Sequence, residues 1–151
     1  YEDNFKSYHI QTSEVEKFIF TFDSGSDVHV LTLEAAMALF TSKKLSTLRV
    51  VGVSGESTRA DIKGRLVIKV EDPKSLESYH IDLGEAHGMK ACPMNLLSIS
   101  LLLKIGAVVH LEEGNSYFEA CSGAERIPFK LNGGMFQLEA SKGSEVGMWT
   151  E

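Results

Sequence analysis

Asp23, Ser24, Gly25 and Ser26 follow directly on Phe18-Ile19-Phe20-Thr21-Phe22, so a carboxylate ends the most apolar strand-like run of the chain. A carboxylate can activate water for attack on an amide carbonyl, but an acid must then protonate the oxygen and the leaving nitrogen. Two aspartates sharing one proton supply both roles, because like charges about 3 Å apart cannot both ionise. The apparent pKa values of such a site belong to the pair. Each Asp must be held at a rigid strand end, followed by a small residue and a glycine that lets two loops approach. Asp23-Ser24-Gly25 has that order. A polar turn that merely finishes a strand has the same composition, so the triplet alone leaves both readings open.

Other constellations offer less. Ser24 with His29 would need an orienting acid for serine-hydrolase chemistry, and none is evident; His29 reads as structural support beneath the Asp23 loop. Gly52 and Gly55 lack the lysine that a phosphate-binding loop requires. Cys92 and Cys121 form no C-x-x-C, and with His80 and His87 their spacing matches no zinc pattern. No metal and no cofactor is expected, and the cysteines read as reduced. His9 reads as a surface residue and His110 as a strand residue, while Met89, Met94 and Leu101 to Leu103 read as core.

The chain has 151 residues, 43% hydrophobic and 24% charged, enough for one domain with a buried core. A net charge of -6, with Lys43-Lys44 as the densest basic spot, argues against nucleic-acid binding. No apolar run approaches the roughly 20 residues of a membrane helix. Tyr1 to Lys17 is polar and does not resemble a signal peptide, and the chain begins without Met, as a piece of something longer would.

Alternation over Phe18–Asp23 predicts a strand, with Phe18, Phe20 and Phe22 on one face. Thr32 suits an N-cap for a short helix over "TLEAAMALF". Leu48 to Val70 reads as a long hairpin with a polar, glycine-punctuated tip, and "LESYHIDL" as the returning strand. Ser98 or Ser100 can cap a second helix that ends at Gly106. Gly114-Asn115 and Asn132-Gly133-Gly134 each predict a hairpin, and the residues from Ser141 onward read as a mobile tail. The fold class expected is mainly β with two short helices.

The order of strand, Asp-Ser-Gly, glycine-rich hairpin and a second strand-to-helix unit resembles a retropepsin subunit. More specifically, the sequence resembles the protease region of copia-type retrotransposon polyproteins. Asp23, Ser24, Gly25 and His29 match that family's Asp-Ser-Gly motif, and Thr32 lies close to its threonine. Asn95, Leu96, Leu97, Ser98, Ile99, Ser100, Gly106 and "VVHL" match its second motif, and "GGMFQLEA" resembles its downstream pre-integrase segment. The similarity spans Phe18 to Ala140.

The resemblance implies an acid-protease barrel, closed or partly open, with Asp23 catalytic and Ser24, Gly25 and Ser26 forming its loop. It implies that Ser24 locks two such loops together, with Asn95, Leu97 and Ser98 as support. The hairpin residues Val53, Ser54, Gly55, Glu56 and Ser57 would act as a flap over an extended peptide, with Asp27 also touching substrate. Ser26 replaces the family alanine and Asp27 the family serine. Leu97-Ser98-Ile99 stands where retroviral relatives carry an arginine, so Asp27 lacks that partner. One Asp-Ser-Gly per chain makes half a site, so the expected enzyme is a homodimer that cleaves a retrotransposon polyprotein, in the cytoplasm within virus-like particles. The alternative expectation is a catalytically silent retropepsin-like module for dimerisation or peptide binding. The expected organisation is an arm over 1–16, a protease domain over 17–110, extra hairpins over 111–140 and a tail over 141–151.

Overall fold

The computed structural model describes residues 15–51, 55–72, 75–119 and 126–144. Residues 1–14 of the arm expected over 1–16 lie outside them, as do Val53, Ser54 and Cys121. The chain is mainly β, with a closed six-stranded barrel and two short helices. β1 (Phe18–Asp23) forms as its alternation requires: Phe20 and Phe22 enter the core while Ile19 faces outward. β2 (His29–Thr32) follows the Asp23 loop, and helix α1 (Leu33–Leu39) starts at Thr32, whose Oγ1 accepts the Ala35 N–H. The helix buries Ala35, Ala36 and Leu39 against the barrel. It stops at Phe40, where the chain turns extended into β3 (Phe40–Leu45), a strand unmarked by the sequence pattern.

The expected long hairpin over Leu48 to Val70 is divided differently. β4 (Arg49–Val51) pairs with β5 (Ser57–Arg59) as a separate two-stranded unit. β6 (Ile62–Glu71) instead runs along β7 (Ser78–Met89), which is much longer than "LESYHIDL" suggests. The apolar residues of β6 find a deeper core against β7 and α1 than β4 could offer, since β4 has no buried residue. Gly88 on β7 permits this layer: a Cβ there would sit 2.4 Å from the Ala36 Cβ.

β8 (Asn95–Ser98) lies between β1 and β2, parallel to the first and antiparallel to the second. Consecutive strands usually pair; here β1 and β2 are held apart by a strand some 70 residues later, and the loop joining them is drawn across its end. Helix α2 (Ile99–Lys104) begins at Ser98, whose Oγ accepts the Leu101 N–H, and ends before Gly106, where φ is 87°. β9 (Val108–His110), β10 (Ser116–Glu119), β11 (Arg126–Asn132) and β12 (Met135–Lys142) then form an antiparallel meander.

The meander is not an appendage. β12 pairs with β1 over Phe18↔Ala140 to Thr21↔Gln137, then with β6 at Ser141↔Lys69 and Lys142↔Ile68. The barrel therefore closes in the order β6, β7, β2, β8, β1, β12 and back to β6. Ser141 and Lys142, expected in a tail, are the residues that close it, and the Gly143 N–H bonds the Val67 carbonyl at 2.8 Å. Their polar side chains hide this from a periodicity argument, although Ser141 is buried, because main-chain pairing recruits them.

Candidate active site

Asp23 ends β1 in register with Ser98 on β8, half-buried, with Oδ1 accepting the Gly25 N–H at 2.8 Å. The carboxylate is thus oriented by its own loop. Ser24 and Gly25 are exposed at the loop's outer edge. Ser26 folds inward: its Oγ donates to the Val28 carbonyl at 2.6 Å, and its own carbonyl accepts from Ser98 Oγ at 2.6 Å. One hydroxyl therefore does two tasks, since Ser98 Oγ also caps α2.

Beneath the loop lies His29, 0% exposed, whose Nδ1 accepts the Ser98 N–H at 2.9 Å. An acceptor at Nδ1 places the ring proton on Nε2 and makes the ring neutral. Burial pushes the His29 pKa down to about 4, with the nearby Leu83 carbonyl opposing part of that fall. The ring is a structural post for the loop. It is too deep to act on a substrate, and Ser24 makes no hydrogen bond to it.

Asn95 completes the clamp. Its Nδ2 donates to the Ile19 carbonyl at 3.0 Å and its Oδ1 accepts the Thr32 N–H at 2.9 Å. A single buried amide thereby ties β1 and the start of α1 to β8, on either side of the Asp23 loop. Leu97, between these two polar residues, points into the core. The two sequence motifs, some 70 residues apart, are one hydrogen-bonded unit. Such first-order support is what a preorganised carboxylate needs.

The β4–β5 hairpin meets this unit through a small apolar cluster. Val30, Ala60 and Met89 are its buried members, and Val28, Leu48, Val50 and Cys92 pack on it. Val28 and Val30 flank His29 in the loop and β2, while Leu48 and Val50 belong to the hairpin's base. The hairpin therefore rises from beside the Asp23 loop. Gly55, Glu56 and Ser57 are exposed on its second arm, and Gly55 has a φ of 86°. None of this cluster was singled out from sequence as joining hairpin to loop, because its members come from four separate stretches of chain.

Asp27 is exposed and has no ion-pair partner among the described residues. No group of three or more metal-ligating side chains is gathered among the described residues. His80 accepts the Ser144 N–H, His87 pairs with Ser46, and the Cys92 thiol donates to the Met94 carbonyl, so these residues serve separate local contacts. Burial raises the Cys92 pKa, against a smaller opposing effect of the Met94 carbonyl, which keeps it a thiol. A cavity of about 570 Å³, bordered by Lys17, Ile19, Lys69, Glu71 and Glu139, lies on the outer face of β1, β6 and β12 and does not include Asp23. Compared with models of known protein families and with curated protein sequences, the chain matches none.

Proposed function

We propose that the chain is one subunit of a homodimeric aspartic endopeptidase of the copia-type retropepsin kind, acting on a polyprotein. Asp23 from each of two copies would share a proton, polarise a water and protonate the leaving amine, while the β4–β5 hairpin closes over an extended peptide. The observation that carries this reading is the mounting of Asp23: a half-exposed carboxylate on a strand end, oriented by Gly25 and braced by Asn95, Ser98 and His29.

Gly25 adds support. A Cβ there would meet only Asp23 Oδ1, at 3.4 Å, an ordinary contact, so nothing among the described residues of its own chain demands glycine. A close approach by a second copy does.

The test pairs light scattering with a peptide-library digest, on wild type and Asp23→Asn. The reading expects a dimer, cleavage sensitive to pepstatin with a bell-shaped profile on the acid side of neutral, and no cleavage by the variant. Equal cleavage by both proteins sinks the catalytic assignment. A monomer that cleaves nothing at high concentration favours the silent peptide-binding module.

A further inference from the structure

We propose that Ser46 and His87 form a pH-responsive latch that fastens the base of the β4–β5 hairpin to the barrel and releases it on acidification. The latch stands apart from the peptidase reading, because it concerns how the hairpin is anchored and not what passes beneath it.

Ser46 is 1% exposed and lies just before the hairpin. Its N–H donates to the Asp61 carbonyl at 3.3 Å, and its carbonyl accepts from Arg59 Nε at 3.1 Å. Its Oγ accepts the Leu48 N–H at 3.1 Å and pairs with His87 Nδ1 at 2.9 Å. Residues entering the hairpin (Ser46, Leu48) and leaving it (Arg59, Asp61) thus converge on one serine. His87, 6% exposed on β7, is the group that holds this serine's hydroxyl to the barrel wall. Asp61 adds a second tie through its N–H to the Gly88 carbonyl and its carboxylate to the Lys90 N–H.

The chemistry of the pair is sensitive to one proton. Glu85 Oε1 lies 3.6 Å from His87 Nε2, which favours the ring proton on that nitrogen and leaves Nδ1 to accept from the Ser46 hydroxyl. A second proton must go to Nδ1, where it points at Ser46 Oγ. The serine hydrogen then has to turn away, Oγ becomes an acceptor for both His87 and Leu48, and a charge is buried in the wall.

The charged groups around the ring are few. Glu85 on the same strand favours protonation, and Lys63, opposite His87 on β6, disfavours it; β2 presents Val30, which is neutral. On the hairpin side, Arg59 is engaged with the Ser46 carbonyl and Asp61 with Lys90. Burial, the largest influence, and Lys63 outweigh Glu85, so His87 is held below its ordinary value. The latch is closed at neutral pH and opens below pH 6.5.

Hydrogen exchange followed by NMR tests this on the intact chain, corrected for intrinsic rates. The probes are the Leu48 amide, bonded to Ser46 Oγ, the Ala60 amide, bonded to the Leu48 carbonyl, and the Asp61 amide, bonded to the Gly88 carbonyl, with Phe20 and Leu97 as barrel references. Protection of the three probes relative to the references should fall between pH 7 and 4.5, with a midpoint that tracks the His87 ring titration. His87→Gln should remove that pH dependence, and Ser46→Ala should give low protection at every pH; either variant suffices if the other fails to fold. A ratio that stays flat in wild type, or falls equally in a folded variant, overturns the latch.

Discussion

His29 makes a quantitative prediction about acid stability. The folded ring has a pKa of about 4 against 6.5 for the unfolded chain, because the folded site excludes water and offers Nδ1 a donor, the Ser98 N–H, in place of an acceptor. Between these values the unfolded state binds more protons, so stability rises with pH there. The contribution is complete above pH 6.5, is lost as pH falls towards 4, and changes no further below that. A shift of this size is worth about 3 kcal/mol in all, of which about 2 kcal/mol falls between pH 7 and 5. That lower limit keeps the experiment clear of most carboxylate titration. Urea unfolding of wild type and His29→Gln at pH 7, 6 and 5 isolates the effect, since the difference in slope belongs to this ring. Glutamine retains an acceptor for Ser98 but cannot titrate, so its stability should fall less over the window by about 2 kcal/mol. A His29 ring that titrates near 6.5 in the folded protein, or equal slopes for both proteins, refutes the reasoning. Acidification towards pH 4 should then loosen the post under Asp23 before it unfolds the barrel.

Three substitutions probe the rest of the framework. Gly25→Ala should leave thermal stability of the subunit within about 0.5 kcal/mol, as surface changes do, yet abolish dimer formation and cleavage; a stable, active dimer would remove the steric argument for the glycine. Gly88→Ala places a methyl 2.4 Å from the Ala36 Cβ and should cost about 1–3 kcal/mol by overpacking, read as a lowered Tm. Asn95→Ala removes the side-chain bonds to the Ile19 carbonyl and the Thr32 N–H, for a loss of about 2–4 kcal/mol in denaturant unfolding and faster amide exchange at Thr32.

Much of the chain's local structure is legible in the sequence alone. Thr32 and Ser98 cap their helices as their hydroxyls suggest, and Gly106, Gly114, Gly133 and Gly134 take the positive φ that their turns require. The alternation of β1 pointed Phe20 and Phe22 inward because a strand's side chains follow a period of two. These features depend on residues within a few positions of one another, so their physical causes lie in the string itself.

What lay beyond the string was partnership. The hairpin expected over Leu48 to Val70 is divided because pattern shows that a segment is a strand, not which strand it pairs with; β6 pairs with β7 for the deeper core. Ser141 and Lys142 looked like tail because their side chains carry no apolar signal, yet their backbones close the barrel. His29 with Ser98, Asn95 with Ile19 and Ser46 with His87 are separated by 69, 76 and 41 residues. Each pair is a bond between polar groups that composition leaves indistinguishable from solvent-facing ones. Sequence by itself determined the strand, the carboxylate at its end and the caps around it. Only the closed barrel, by setting register between distant strands, decided that these polar groups face one another out of water, and so gave Asp23 a rigid mount.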